Sequence, residues 1–214
     1  MKRTNIDYGI DLGTTNSAIA RMEAGNVKII KSDDLQKDTT PSCVAVNPKG
    51  SIILGDNAYE ELKRVYNLKI QNSKKSVSDV FSEFKRLMGT DQVQHSVHLD
   101  RSLTPEDLSA EVLKKLKSYV KDEDAIPGVV ITVPAKFTNP QNEATRNAAE
   151  KAGFSYCELL QEPIAASVAY FSGKDIEGKW LVFDFGGGTF DAALMEVEEG
   201  VITVKDTEGD NLLG

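Results

Sequence analysis

Nowhere in this sequence does an apolar run approach the roughly 20 residues that a membrane-spanning helix needs, so no membrane partner is expected. Basic residues are in the minority: 25 Lys and Arg stand against 33 Asp and Glu, a formal net charge of −8. Nucleic-acid binding shows as a basic face or stripe, and this balance argues against such a partner. Acidity of this size favours solubility and says little more. Cysteine is scarce. Cys43 and Cys157 are too few for a disulfide framework and too isolated for zinc; they read as small core residues in a reducing compartment. His95 and His98 lie in a polar stretch without neighbouring ligands and read as surface residues, since a metal needs a cluster. The opening MKRTNIDYGID has no apolar signal core, so a cytoplasmic location is the expectation. Two phosphate-binding strings are also missing. There is no G-x-x-x-x-G-K-[ST], which disfavours the P-loop class, and no G-x-G-x-x-G after a strand, which disfavours a dinucleotide fold.

What is present is ordinary in bulk. The 214 residues, 40% hydrophobic and 27% charged, suffice for one large or two modest domains with a real core. Strands are expected at Tyr8–Leu12, Ala18–Met22, Val27–Ile30, Cys43–Val46 and Ile52–Leu54. Helices are expected at Ala58–Val65 and at Val77–Met88, the latter stopped by Gly89, with NLKIQNSKKS between them as an exposed loop. Thr104, Pro105, Glu106 and Asp107 form a helix start, and Leu108, Val112, Leu116 and Tyr119 give that helix one buried face. The β-branched run Gly128–Pro134 suits a strand covered on both sides. A helix from Asn139 to its stop at Gly153, a short strand Cys157–Leu160 and a helix Glu162–Phe171 follow. Strands at Trp180–Phe185, Phe190–Val197 and Val201–Asp206 close the chain. Strands, then helices alternating with strands, then strands again make a mixed α/β sheet with flanking helices.

One stretch occurs twice. IDLGTTNSAIARMEAG (Ile10–Gly25) and FDFGGGTFDAALMEVEEG (Phe183–Gly200) both run from an apolar residue through Asp and Gly into a second strand and a turn glycine. Asp11 matches Asp184, Gly13 matches Gly186, Thr15 matches Gly188 and Asn16 matches Thr189 at one constant offset. Two such turns, facing across a cleft, could grip one ligand from both sides. Glycine turns expose backbone N–H groups that hold anions, and threonine hydroxyls add donors. A carboxylate beside a phosphate needs a divalent cation between them, so Asp11 and Asp184 read as outer ligands of Mg²⁺.

Five strings in order then carry a family resemblance: GIDLGTTNS (Gly9–Ser17), FKRLMG (Phe84–Gly89), ITVPA (Ile131–Ala135), EPIAASVAY (Glu162–Tyr170) and DFGGGTFD (Asp184–Asp191). Together they resemble the seventy-kilodalton heat-shock chaperone family. The resemblance implies a duplicated, actin-like (ribonuclease H-like) ATPase fold whose two lobes close on Mg-ATP and whose nucleotide state, ATP or ADP, drives a separate peptide-binding domain. It implies that Thr14, Thr15 and Asn16 beside Gly13 form a first phosphate loop, and that Gly186, Gly187, Gly188 and Thr189 form a second. Asp11, Asp184 and Asp191 would surround the metal and the attacking water, with Lys85 reaching the γ-phosphate and Glu162 orienting water. Thr189, beside the γ-phosphate, is also expected at the reacting centre. Unfolded client peptides and co-chaperones are the implied partners, acting through domains outside this sequence.

By the same resemblance, residues 1–179 correspond to lobe I, with an inserted subdomain over about 36–103, and residues 180–214 to the first hairpins of an incomplete lobe II. Weak nucleotide affinity and a dimer through the exposed lobe II edge are expected on that basis. The sequence departs from the family pattern at Lys136, usually aromatic, and Asn142, usually arginine, positions in the relay between nucleotide and peptide domains. The stretch between FKRLMG and Thr104 is also short. A sugar-type kinase or an actin-like filament protein of the same superfamily are the alternatives.

Overall fold

The computed structural model describes residues 6, 8–71, 77–121, 128–210 and 213. Its central sheet is mixed. Strands β1 (Tyr8–Leu12), β2 (Asn16–Glu23) and β3 (Asn26–Ile30) form an antiparallel meander, and β10 (Gly128–Val133) and β11 (Tyr156–Gln161) add to it in parallel, giving the order β11-β10-β1-β2-β3. A two-residue strand β4 (Thr40–Pro41) pairs with the start of β2. Helices α2 (Pro105–Ser118) and α3 (Asn139–Lys151) cover one face. Leu108, Val112, Leu113 and Leu116 of α2 and Ala144, Ala148 and Ala149 of α3 share one buried cluster with Ile10, Leu12, Ile19, Val129 and Ile131 of the sheet. The alanines let α3 approach closely, because a short side chain fills the gap that a longer one would prop open.

The helix start at Thr104 forms as the residues dictate. Thr104 Oγ1 accepts from the Asp107 N–H at 3.1 Å while the Asp107 carboxylate accepts from the Thr104 N–H at 3.0 Å, a reciprocal cap. Lys151 at the end of α3 reaches Asp107 at 2.8 Å and Glu106 at 3.2 Å, tying the two helices together.

Between β4 and α2 lie β5 (Cys43–Val46), β6 (Ile52–Leu54), α1 (Asp56–Ile70), β7 (Asp79–Ser82), β8 (Gln94–Ser96) and β9 (Arg101–Leu103). Here two expectations fail. The helix at Ala58–Val65 extends to Ile70, so the first residues of the expected loop are helical, and residues 72–76 of that loop lie outside the described residues. The expected helix Val77–Met88 is instead β7, antiparallel to β5, followed by a single 3-10 turn, Phe84–Leu87. Its apolar spacing mimics helical periodicity, but Phe81 is buried in the main core while Val80 packs with Cys43, Ala45 and Ala58 on the other side. Pairing with β5 overrides the local pattern, and Glu83 in the left-handed region (φ 56°) breaks the strand from the turn. This segment shares the main core through Val44, Val46, Phe81 and Phe84.

Cys43 is buried, and desolvation pushes its thiol up to about 12. His98 is half-buried rather than at the surface, its Nε2 2.8 Å from the Val77 carbonyl.

After the smaller β6-β5-β7 and β8-β9 sheets, a separate three-stranded antiparallel sheet follows: β12 (Gly178–Phe185), β13 (Phe190–Glu198) and β14 (Val201–Asp210). Helix α4 (Glu162–Phe171) leads into it, and the Phe171 and Trp180 rings meet tilted, 5.3 Å between centroids. One face of this sheet buries Ala193, Met195 and Val197. The other leaves Leu181, Phe183 and Phe185 exposed.

Candidate functional site

The two matching hairpins meet. Each turn follows an Asp-bearing strand end, and the turn of the first (Gly13–Thr15) abuts the turn of the second (Gly186–Thr189). A Cβ on Gly187 would collide with Thr15 Oγ1, and one on Gly188 would lie 2.6 Å from Thr14 Oγ1. Glycine stands at 187 and 188 because the opposing loop leaves no room. Backbone dihedrals do not require it: neither residue has a positive φ. Gly186 closes its own turn, its N–H donating to the Thr189 carbonyl at 3.1 Å.

Between the turns lies a polar cavity of about 210 Å³. Asp11, Gly13, Thr14, Thr15 and Asn16 line it from the first hairpin, and Asp184, Gly186, Gly187 and Thr189 from the second. Lys85 from the 3-10 turn and Glu162 from the first residue of α4 complete it. Eleven of the thirteen expected site residues therefore share one space. Gly188 and Asp191 do not line it. Gly188 is packed under Thr14. Asp191 is buried behind the second turn, where its Oδ1 accepts the Ala135 N–H at 3.1 Å and its Oδ2 has no hydrogen-bond partner among the described residues.

The electrostatics of the cavity are those of crowded carboxylates around one ammonium. Lys85, 5% exposed, places Nζ 2.6 Å from Glu162 Oε1. Burial raises the Glu162 carboxyl above its ordinary range; Lys85 opposes that rise, and Asp11 and Asp184 add to it. Asp184 is raised by burial and then by Asp11, against Lys85. Asp191 is raised chiefly by burial, against the Ala135 N–H. Negative charge is thus held at the cavity at an energetic cost, which an added cation would lower. Among the described residues no group of three or more His, Cys, Asp or Glu is placed to hold a metal by itself. Two carboxylates beside hydroxyl donors fit Mg²⁺, which keeps several waters and takes few protein ligands.

Three contributors were not legible as site residues. Thr132 in β10 donates through Oγ1 to Asp11 Oδ1 at 2.9 Å, fixing that carboxylate. Arg86, next to Lys85, donates through Nη2 to the Gly187 carbonyl at 3.1 Å, joining the 3-10 turn to the second loop. Ser42, just after β4, contacts the back of the first turn. Thr132 and Arg86 sit inside quoted motifs, which is the one signal that could have raised them; Ser42 has no such signal. Lys136 reaches Glu208 of β14 at 3.4 Å on the surface, and Asn142 Oδ1 is buried without a partner among the described residues.

A family model described as Hsp70 protein matches residues 7–214. The chain is similar to a "Chaperone protein DnaK" of Metamycoplasma hominis, 43% identical over 211 residues, which is 96% of this chain and 33% of that relative. It is also similar to a "Chaperone protein DnaK" of Mycoplasmopsis agalactiae, 40% identical over 209 residues, 96% of this chain and 32% of the relative. The chain spans about a third of the length of these curated relatives. Among the described residues no helix is long and apolar enough to cross a membrane.

Proposed function

This chain belongs to the Hsp70 family, and from that premise we propose that its two hairpins clamp the phosphates of ATP or ADP, with Mg²⁺, to hydrolyse ATP. The single observation that supports the reading is the convergence of eleven expected residues, from four separate stretches of chain, on one cavity. We read the fold as the actin-like ATPase, with residues 1–179 as lobe I and residues 180–214 beginning lobe II.

In this proposal the backbone N–H groups of both turns and the hydroxyls of Thr14, Thr15 and Thr189 bind phosphate oxygens. Asp11 and Asp184 would hold Mg²⁺, with Thr132 orienting Asp11. Bound there, Mg²⁺ supplies charge neutralisation across the phosphate oxygens. Lys85, held by Glu162, presents a fixed ammonium to the charge that develops on the γ-phosphoryl oxygens, and phosphoryl transfer depends mainly on such positioning and electrostatics. Glu162 orients the attacking water, and Asp191 anchors the second hairpin to the end of β10 through Ala135. The water oxygen forms a new bond to the γ-phosphorus as the bond to the leaving ADP oxygen breaks, and the water's proton passes to the released phosphate, giving inorganic phosphate and ADP.

The proposal extends to the whole protein: nucleotide state governs a peptide-binding domain, with client peptides and co-chaperones as partners. It also includes a dimer through β14 and the exposed Leu181, Phe183 and Phe185; a clean monomer by sedimentation at high concentration would remove that part. Release of inorganic phosphate from Mg-ATP by the chain within its full-length protein, lost in Lys85→Ala, tests the enzymatic reading. Sugar-dependent phosphorylation in its place would favour a kinase.

A further inference from the structure

Behind the first turn, outside the cavity lining, Ser42 makes three hydrogen bonds. It is 3% exposed and follows β4, which pairs with β2 through Asn16↔Pro41 and Ser17↔Thr40. Its N–H donates to the Thr15 carbonyl at 2.8 Å. Its hydroxyl donates to the Gly13 carbonyl at 2.7 Å and lies 2.8 Å from Ser17 Oγ. A serine hydroxyl carries one proton, and Gly13 takes it. Ser17, 1% exposed, must therefore be the donor in the second contact. The chain of donors runs Ser17 to Ser42 to Gly13, with each bond polarising the next.

The consequence lies in the peptide planes. In a trans peptide the C=O and the following N–H point in opposite directions, and no cis bond occurs among the described residues. The carbonyls of Gly13 and Thr15 are both drawn toward Ser42. The N–H groups of the same two planes belong to Thr14 and Asn16 and point away from Ser42, and both residues line the cavity.

We propose that Ser42 is a positioning residue for phosphate recognition, holding the Gly13–Thr14 and Thr15–Asn16 planes so that two backbone donors converge on a nucleotide phosphate. The proposal rests on reading the cavity as a phosphate site. Donors fixed before the ligand arrives need no reorganisation when it binds. Removing the hydroxyl frees the Gly13 carbonyl to rotate and leaves the Ser17 hydroxyl buried without its acceptor.

The test is a titration of the ¹⁵N-labelled chain with Mg-ATP and, separately, with inorganic triphosphate, following the Thr14 and Asn16 amides. Wild type is compared with Ser42→Ala, with Ser42→Cys, which keeps the volume but donates weakly, and with Ser109→Ala. Ser109 is equally buried, and its hydroxyl donates to Met88 Sδ at 3.5 Å, away from the cavity. The expected result is that both ligands shift both amides in wild type, and that Ser42→Ala weakens both ligands about tenfold, the scale of one lost hydrogen bond. Ser109→Ala is expected to lower the melting temperature without changing either affinity. Wild-type affinities in Ser42→Ala overturn the proposal and leave the phosphate site standing. No response of wild type to either ligand overturns the phosphate site and this role with it. If Ser42→Ala does not fold, Ser42→Cys decides between the first two results.

Discussion

Lys85 and Glu162, 77 residues apart in sequence, close an ion pair of 2.6 Å in which the two side chains are 6% and 12% exposed. A pair this dry joins the 3-10 turn after β7 to the first turn of α4, and both partners face the cavity. Removing one partner strands the other's charge. Lys85→Met is expected to cost about 3 kcal/mol in urea denaturation, and the double variant Lys85→Met with Glu162→Gln to recover most of it. Equal losses in the single and double variants would show that the pair is not coupled. Hydrolysis is expected to fall about 100-fold in both.

The raised carboxyls give a pH dependence whose sign is fixed. Glu162, Asp184 and Asp191 all ionise at higher pH in the folded chain than in the unfolded one. Over the interval between the two values the folded state binds more protons, so their contribution to stability is full below the ordinary carboxylate range and is lost as pH rises through the raised values. Asp184→Asn is therefore expected to melt higher than wild type at pH 7, by about 3 °C for each kcal/mol relieved, and to match it below about pH 4. A variant that melts lower at pH 7 contradicts the crowding of Asp11 and Asp184.

Divalent cation should oppose the same repulsion. Mg²⁺ is expected to raise the melting temperature of wild type and to leave that of Asp184→Asn nearly unchanged. Thr132→Val, which keeps shape but removes the donor to Asp11, is expected to weaken the Mg²⁺ response about tenfold. A wild-type response in Thr132→Val would show that Asp11 needs no such support.

The three glycines of the second turn should differ. A Cβ on Gly186 meets only the Thr189 carbonyl at 3.8 Å, whereas one on Gly187 collides with Thr15 and one on Gly188 meets Thr14 at 2.6 Å. Gly186→Ala is expected to be nearly neutral in thermal denaturation. Gly187→Ala and Gly188→Ala are expected to cost about 1–3 kcal/mol as the loops are forced apart. Equal costs at all three would mean that the two turns do not touch in solution.

Those contacts also mark how far the sequence could be read. The hairpins, β10 and the Thr104 helix start were legible because their signals are local: an Asp-Gly turn between apolar strands, a β-branched run, a cap three residues from its acid. That Asp11 and Asp184 share one cavity was legible too, since the repeat matched the two before any geometry was available. Val77–Met88 was misread because its apolar spacing fits a helix, and only pairing with β5 makes it a strand. Ser42 and Arg86 were invisible as site residues because their partners, Gly13 and Gly187, are 29 and 101 residues away. The resemblance implies a place for Asp191 beside the metal and the attacking water, yet its carboxylate turns toward Ala135 instead of the cavity. A motif names residue types; it does not say which way a side chain turns when a buried N–H competes for it.

The most direct measurement is titration of the ¹⁵N-labelled chain with Mg-ATP, Mg-ADP and adenosine, which detects binding even at millimolar strength. The account predicts that Mg-ATP and Mg-ADP shift the amides of both turns together, Gly13–Asn16 and Gly186–Thr189, that adenosine leaves them in place, and that Asp184→Asn abolishes the response. Shifts confined to one turn, or produced equally by adenosine, would contradict a two-sided phosphate clamp.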